Sequence, residues 1–480
     1  MPSDNILSTT VSARAAVQLL AMAGDLSMGQ PTDQSARSAR LAGRLALLDG
    51  AGADVAMHAC LVALLRWSGC TANAAGFAVL LGDDVAGRDA MLRNALPAGH
   101  PLTFANVEPL ARIHCEVAGD LAGMLGLPAE VEAGLRHVWE HYDGGGAPQQ
   151  LRAPAIPAVV YYTSLAGDLE ILARTVDAQA AVQMIQTWGG TKYPAALAAL
   201  AAEHADALLA VLDGPDEDGA FPAHQVALSI VADLVELKLP WLAGYSRRVA
   251  ELAGCAAALA GLLPEQQTRL ARAALIHGVG RASVSNTIWE RAGKPSSADW
   301  EKIRLAPYWT ARAGALVPEL RDEAALASHM YERLDGSGYF RSHEGDALGM
   351  PQRLLAAAGT YAALCAPRPW RRALQPQEGA QLLEEEAQAG RIDAAAAAFV
   401  IAAAGGEGAG GQAPARKGLL SEREVEVLRR ISLGESNKEA ARVMQISPST
   451  VRTHMESIFR KLGCSTRAAA TLKGLTLGLI

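Results

Sequence analysis

Two stretches of the chain, ALIHGVGR at 274–281 and HMYERLDGSGYF at 329–340, bring together imidazole, guanidinium and carboxylate side chains. Imidazoles and carboxylates can hold pairs of divalent ions that cleave phosphodiesters, because such ions acidify a bridging water and polarise the phosphoryl oxygens. Here Gly278 follows His277 where a second ligand would be needed. One or two neutral imidazoles cannot hold a binuclear centre, so we expect no metal and no cofactor.

The second stretch also contains a D-G-x-G loop that begins at Asp335, and a similar loop begins at Asp143. Such an Asp can accept hydrogen bonds from backbone N–H groups in a tight turn while glycine supplies a positive φ, which is a purely structural task. The alternative is a cavity that binds a small ligand. Its candidate lining residues are His277, Arg281, His329, Tyr331 and Arg333. His277 alone fits a core histidine better than a ligand-binding one.

From about Tyr245 to Arg372 the order of segments resembles the HD-GYP family of cyclic-dinucleotide phosphodiesterases, all-helical domains with a His-Asp pair and a later H-H-E-x-x-D-G-x-G-Y-P loop. The segments that carry the resemblance are IHGVGR, KPSSADWEKIRLAP (294–307), HMYERLDGSGYF and RLLAAAGTYAAL (353–364). The residues at positions that matter for metal binding in the family are here Ser246, His277, Gly278, Arg281, Ala306, Met330, Tyr331 and Gly359. Among these positions only His277 keeps the residue that binds metal in the family.

The sequence therefore predicts that the chain is not an enzyme and that this part is a pseudoenzyme domain, a sensory and dimerising body with a nucleotide-like ligand. Two alternatives stay open. One is an active metal-dependent cyclic-dinucleotide phosphodiesterase with a DNA-binding tail. The other is a protein-interaction scaffold that binds no small ligand.

An internal repeat suggests how the chain is divided. SARSARLAG (35–43) and LLRWSGC (64–70) align with SRRVAELAG (246–254) and LIHGVGR (275–281) at one spacing of 211, and EHYDGGGAP (140–148) aligns with ERLDGSGYF (332–340) at 192. A constant spacing over two motifs indicates a duplication. We expect two degenerate HD-GYP-like domains at 1–212 and 223–404, a Gly-rich flexible linker at 405–418, and a C-terminal domain at 419–480.

The composition predicts an all-α protein of the cytoplasm. Half of the 480 residues are apolar, Ala runs abound and alternating β-branched stretches are scarce. The first residues lack the pattern of a signal peptide, and the longest uncharged run, 394–404, is too short to cross a bilayer, so we expect no membrane partner. The six cysteines form no C-x-x-C pair, which indicates reduced thiols.

The C-terminal segment combines a basic charge with the pattern of a helix-turn-helix. Residues 416–480 carry 12 Lys and Arg against 6 Glu, although the whole chain has a net charge of −7. Ser421 with Glu424 and Ser436 with Glu439 form capping boxes, and Ser447-Pro448 starts a third helix. Val451, Met455, Ile458 and Leu462 are expected to form its core stripe. The opposite face should lie in the major groove of double-stranded DNA.

Side chains on that face have distinct expected roles. Arg452 can read guanine, Thr453 a thymine methyl and Glu456 the amino group of cytosine. The full set of predicted DNA-binding residues is Lys438, Ser449, Thr450, Arg452, Thr453, Glu456, Arg460 and Lys461. Among them Lys438, Thr450, Arg460 and Lys461 are better placed for phosphates.

This segment resembles the LuxR/NarL type of DNA-binding domain, because SEREVEVL (421–428), the G-x-S-N-K-E-A-A run at 434–441, TVRTH (450–454) and KLG (461–463) occur in order and spacing. The resemblance implies a four-helix module that regulates transcription with RNA polymerase and whose last helix, about 466–478, dimerises. The expected dimerisation stripe is Ala468, Leu472, Leu475 and Leu479. We therefore expect a homodimeric transcriptional regulator.

Overall fold

The computed structural model describes residues 9–214, 221–405 and 419–480, so the predicted flexible linker, apart from Gly405, lies outside the described residues. The prediction of an all-α protein is confirmed. In the described part of the chain the one sheet is a pair of short strands, β1 (Thr10–Ser12) and β2 (Gln225–Ala227). The chain forms two compact units, one of Ser12–His224 with Ser285–Thr287 and one that contains Gln225–Val284 and Ile288–Ile480.

The N-terminal unit is built from helices joined by short loops. In chain order they are α1 (Ala13–Ser27), α2 (Gln34–Leu48), α3 (Ala53–Leu65), α4 (Ala74–Leu81), α5 (Ala86–Leu92), α6 (Phe104–Met124), α7 (Ala129–Arg136), α8 (Ala158–Thr175), α9 (Ala178–Trp188), α10 (Ala195–Glu203) and α11 (Ala205–Ala210). The central helix α2 packs on α3 and α8. Small residues permit this close approach, because a side chain at Gly43 would collide with the Cys60 thiol.

The helices between residues 225 and 405 repeat this style of packing. They are α12 (Ser229–Glu236), α13 (Tyr245–Leu259), α14 (Pro264–Ile276), α15 (Asn286–Trp289), α16 (Ser297–Arg304), α17 (Ala306–Ala315), α18 (Arg321–Ala327), α19 (Met350–Cys365), α20 (Pro376–Gln388) and α21 (Ala394–Gly405). Helix α13 is the hub, since it packs on α14, α19 and α21. Short 3₁₀ helices occur at Ser68–Cys70, Val211–Asp213, Pro240–Leu242, Val279–Ser283, Pro318–Leu320 and Gly345–Ala347.

The C-terminal domain consists of α22 (Glu422–Ser432), α23 (Asn437–Met444), α24 (Pro448–Leu462) and α25 (Arg467–Thr476). The two predicted capping boxes are confirmed, because Ser421 and Ser436 accept hydrogen bonds from the backbone N–H groups of Glu424 and Glu439. The predicted core stripe of α24 is confirmed as well. Val451, Met455, Ile458 and Leu462 are all buried in one apolar cluster with residues of α22 and α23.

One hydrogen-bond pattern occurs in each unit. In the C-terminal unit the Glu332 carboxylate accepts from the backbone N–H groups of Arg341 (2.8 Å) and His343 (3.1 Å). In the N-terminal unit the Glu140 carboxylate accepts from those of residues 149 (2.7 Å) and 151 (2.9 Å). All three positions differ by 192, the spacing found in the sequence motifs.

No single helix among the described residues is long and apolar enough to cross a membrane. Two strongly bent helix pairs, one at 53–81 and one at 195–213, meet the length and composition criteria together.

Candidate functional site

The candidate ligand site is centred on the turn that follows α14. That helix ends at Ile276, His277 is its C-terminal cap, and the 3₁₀ helix Val279–Ser283 carries Arg281. Thr310 of α17 fixes the turn, because its hydroxyl donates to the His277 carbonyl (3.0 Å) and accepts from the Gly280 N–H (2.9 Å). The side chains of His277 and Arg281 are therefore held on one side of the turn.

Three of the five predicted lining residues come together there. The Arg281 Nη2 donates to His277 Nε2 (2.9 Å) and to the Tyr331 hydroxyl (2.6 Å). The His277 Nδ1 lies 2.6 Å from the Ala274 carbonyl, so its proton is on Nδ1 and its Nε2 lone pair faces the guanidinium. Burial and the charge of Arg281 hold the pKa of His277 well below its usual range. His277 is therefore neutral.

Aromatic rings and a second arginine, which the sequence did not reveal, complete this cluster. The guanidinium carbons of Arg281 and Arg368 both lie 5.2 Å from the centre of the Tyr245 ring, and that of Arg368 lies 4.8 Å from the Trp241 ring. Trp241 in turn contacts the half-exposed Trp370 edge to face. We call His277, Arg281, Tyr331, Tyr245, Arg368 and Trp241 the arginine–tyrosine cluster. Its members come from four separate segments of the chain, 241–245, 277–281, 331 and 368, so no single spacing motif marks the whole cluster.

A buried carboxyl group lies next to the arginine–tyrosine cluster. The Glu236 carboxylate, at the end of α12, accepts from the Ser246 N–H at 2.6 Å. Burial raises the pKa of Glu236 to about 7, although the hydrogen bonds from Ser246 and the charge of Arg281 act to lower it. The equivalent pair at a spacing of 211, Asp25 and Ser35, makes the same backbone contact in the N-terminal unit. The sequence repeat could thus have pointed to Glu236.

Of the other two predicted lining residues, His329 lies elsewhere, whereas Arg333 borders the cluster, because the Tyr245 side chain acts on its charge. The ring of His329 contacts that of His343 (5.4 Å between centres), and its Nδ1 bonds the Ala325 carbonyl. Arg333 donates to Thr360 of α19 at 3.3 Å. His329 therefore does not swing toward His277.

The arginine–tyrosine cluster does not fit a metal centre. Its one imidazole is neutral and faces a guanidinium, and among the described residues no group of three or more His, Cys, Asp or Glu side chains is placed to hold a metal ion. A side chain at Gly359 would overlap Met330, and one at Gly278 would meet Arg281 Nη1. The guanidinium of Arg281, which is permanently charged, thus occupies the space beside His277.

The D-G-x-G loops have the geometry of tight turns. Asp335 accepts from the Ser337 N–H (3.0 Å) and Gly336 has a φ of +73°. Asp143 likewise accepts from the Gly145 N–H (2.7 Å), and Gly144 has a φ of +83°. These loops fit the structural role that the sequence suggested, because the Asp and the glycine are both used by the turn itself.

A second candidate site is the outer face of α24. The side chains predicted to contact DNA on this helix, at positions 449, 450, 452, 453, 456, 460 and 461, are exposed, and so is Lys438 on α23. Within this face Arg452 Nε pairs with Glu456 (2.9 Å). Lys461 pairs with the nearly buried Glu424 (2.7 Å). Burial acts to raise the pKa of Glu424, but hydrogen bonds from Lys461, Ser421 and Ser457 lower it to about 2.

Comparison with known families identifies two matched segments, both in the C-terminal unit except for Ser285–Thr287. Residues 229–396 match the family model of the HD domain, and residues 418–473 match that of bacterial regulatory proteins of the luxR family. The first match contains the arginine–tyrosine cluster, and the second contains α22 to α24 and most of α25.

Relatives with assigned activities fall into two groups. The 3′3′-cGAMP-specific phosphodiesterase 3 of Vibrio cholerae is 27% identical over 296 residues, which cover 58% of this chain and 64% of the relative. The probable transcriptional regulatory protein NarL of Mycobacterium tuberculosis is 44% identical over 62 residues, which cover 13% of this chain and 29% of that protein. The chain thus spans less than two thirds of the length of these relatives.

A solved structure supports the fold of both units. The crystal structure of the cyclic GMP-AMP-specific phosphodiesterase V-cGAP3 of V. cholerae superposes with a TM-score of 0.59 and 21% identity, over 82% of this chain and 98% of that one. At this identity the likeness concerns the fold.

These relatives contradict the prediction that the chain is not an enzyme. Two of them, the 3′3′-cGAMP-specific phosphodiesterases 1 and 3 of V. cholerae, are named for a phosphodiesterase activity. The prediction weighed single ligand positions one at a time, whereas the similarity extends over 296 residues. The chain contains an HD domain followed by a C-terminal DNA-binding domain of the LuxR family of bacterial regulatory proteins.

Proposed function

We propose that this chain is a transcriptional regulator whose HD domain recognises a cyclic dinucleotide at the arginine–tyrosine cluster and whose helix α24 reads double-stranded DNA. The names of the relatives support both halves, since they include cGAMP-specific phosphodiesterases and a probable transcriptional regulatory protein. The proposal assigns the two activities to different domains of one chain.

The proposal that the HD domain binds a ligand depends on an arginine whose N–H donors are not all hydrogen-bonded. Arg281 is 7% exposed, and its Nη1 has no hydrogen-bond partner among the described residues. The indole N–H of Trp241 is also buried and without a partner there. Buried donors of this kind are costly unless a ligand or water meets them. A phosphodiester oxygen is an acceptor that suits a guanidinium.

The rings around these donors suit the other part of such a ligand. Trp241 and the buried Tyr245 lie beside Arg368, and the half-exposed Trp370 contacts Trp241. A purine can stack on an aromatic ring or on a guanidinium plane. A ligand with two phosphates and two bases therefore matches both kinds of surface.

Calorimetric titration of the full-length protein with 3′3′-cGAMP tests the ligand half. We expect binding that weakens at least about ten-fold in Arg368→Ala, since one charge-assisted contact is lost. The matched control is Arg269→Ala, which removes an exposed arginine of α14 whose partner is Asp322. The absence of binding at millimolar ligand, with the protein shown to be folded, would refute this half of the proposal.

Hydrolysis of the cyclic dinucleotide is a second candidate function, and the similarity to two cGAMP-specific phosphodiesterases favours it. Incubation with 3′3′-cGAMP and Mn²⁺ or Fe²⁺, followed by chromatography of the products, measures it directly. Linear dinucleotide formed in proportion to protein, and lost in His277→Ala, would establish this activity. Binding without turnover would leave recognition alone.

A further inference from the structure

The last helix of the DNA-binding domain is covered by the HD domain of its own chain. Leu472 and Leu475 of α25 are buried, yet neither belongs to the apolar core of the C-terminal domain. Helix α25 packs against α12, and the Leu475 side chain reaches Gly244, with Cδ2 3.8 Å from the position that a Cβ would take there. Leu475 thus lies at an interface between the two domains.

Helix α12 is buried all round, as an element between two layers must be. Every residue from 230 to 239 is buried, and the run includes three ionisable side chains, Asp233, Glu236 and Lys238. Asp233 is neutralised by a two-pronged ion pair with Arg247 of α13. The helix packs on α13 and α14 of the HD domain and on α25 of the C-terminal domain.

A second contact lies at the turn after α22. Gly434, with a φ of +88°, sits so close to Pro240 that an added Cβ would be 3.2 Å from the Pro240 Cβ. The HD domain therefore holds the C-terminal domain at two points, α25 and the turn at Gly434. Neither point is on the exposed face of α24.

This arrangement separates the two tasks of the DNA-binding domain. The groove-facing side chains of α24 stay exposed. In contrast, the helix expected to pair two C-terminal domains packs on α12, and Leu472 and Leu475 of its expected pairing stripe are buried. The same helix reaches the ligand site, because Glu236 bonds Ser246 and faces the charge of Arg281.

We infer that α12 is a docking element that occupies the pairing face of α25, so that release from α12 must precede pairing of two copies on DNA. The inference rests on the proposed function in treating the C-terminal domain as a DNA reader. A ligand that engages Arg281 acts on the same helix and shifts the balance between docking and pairing.

A reversible disulfide tests the docking. The variant Pro240→Cys/Gly434→Cys brings two Cβ atoms close to the separation of a natural disulfide. The DNA is a duplex selected from random sequences by the reduced full-length protein. We expect the oxidised protein to bind this duplex as single copies and not as pairs. Its affinity should fall on the order of 100-fold, the typical gain from linking two sites. The single variants and the native chain, which has six free cysteines, are the controls.

Particle mass on DNA, by sedimentation, gives the second readout. An oxidised protein that pairs on DNA as well as the reduced one, or a double variant that forms no disulfide under oxidation, would overturn the inference. Pro240→Glu places a charge at the same contact and should act in the opposite sense, increasing pairing at a given concentration. Unchanged pairing in this variant would also count against it.

The ligand arm keeps the two proposals apart. If 3′3′-cGAMP binds and changes the rate of disulfide formation, α12 couples the sites. If it binds and leaves that rate unchanged, the coupling is wrong although docking stands. If it does not bind, the proposed ligand is wrong, and the disulfide experiment alone decides whether α12 docks α25.

Discussion

At the scale of single residues, one guanidinium determines the character of the ligand site. Arg281 bonds His277 and Tyr331 and faces Glu236, so it joins three segments that are far apart in sequence. The resemblance of motifs identified His277 and Arg281 as neighbours. It did not identify Glu236 or Arg368, because their roles depend on tertiary packing and not on a local pattern.

Glu236 should make stability depend on pH. Its pKa in the folded chain, about 7, lies above the ordinary value of 4.5, so the folded state keeps the proton to higher pH. The contribution of protonated Glu236 to the free energy of unfolding is complete below pH 4.5. It falls by about 3 kcal/mol as the pH rises toward 7. Glu236→Gln mimics the neutral acid and should remove this part of the decline.

Urea unfolding at pH 5 and pH 7.5 measures the effect of this substitution. Other buried carboxyls, such as Asp233, affect both proteins equally, so the difference between them isolates Glu236. Glu384→Gln, an exposed substitution on α20, is the control. If the free energy of unfolding changes equally between pH 5 and pH 7.5 in the native chain and in Glu236→Gln, this carboxyl is already ionised at pH 5.

On the DNA-binding face, the structure favours Lys438 over Lys461 as the lysine whose substitution tests contacts to DNA phosphates. Arg452→Ala should cost about 1–3 kcal/mol and flatten preference at one base of each half-site. Lys461 is tied to Glu424, so its removal also disturbs the fold. Lys438→Ala is cleaner. It should weaken all sequences alike and reduce the salt slope by about one. Identical behaviour of the Arg452 and Lys438 variants in salt titrations would contradict these roles.

At the scale of elements, prediction succeeded where the signal is local. The capping boxes at Ser421 and Ser436 and the buried stripe of α24 follow from spacing alone, and the structure contains them. The all-α fold follows from composition and periodicity in the same way. The position of α12 between two layers could not be predicted, because its burial depends on α25, more than 200 residues away.

The 3₁₀ turn that carries Arg281 depends on one glycine for its packing against α17. A side chain at Gly280 would overlap the backbone carbonyl of Ala306, which cannot rotate away. Gly280→Ala should therefore destabilise the protein by about 1–3 kcal/mol. Gly278→Ala is the matched control, since its new methyl group would lie 3.1 Å from the end of the flexible Arg281 side chain and at an ordinary contact distance of 3.8 Å from the Ser246 hydroxyl. Similar melting temperatures for the two variants would refute this account of the turn.

At the scale of the whole molecule, we propose that the N-terminal unit and the HD part of the C-terminal unit are copies of one domain. Three features at matched spacing support this: the sequence motifs, the carboxylates of Glu140 and Glu332 with the same backbone donors, and the D-G-x-G turns. The copies differ in chemistry. At a spacing of 211, Cys70 stands where the C-terminal unit has Arg281, and Arg66 stands where it has His277.

This difference predicts that the ligand protects only one unit. A bound ligand at 100 times its Kd stabilises the unit that holds it by about 2.7 kcal/mol. Hydrogen exchange with 3′3′-cGAMP should therefore slow in peptides of the arginine–tyrosine cluster and of α12, and stay unchanged in peptides around Arg66, a residue that is buried beside Trp67. Arg368→Ala, whose Kd should rise about ten-fold, should show only about 1.4 kcal/mol of stabilisation at the same ligand concentration. Protection centred on the N-terminal unit would place the ligand in the other copy and reverse the assignment of the two domains.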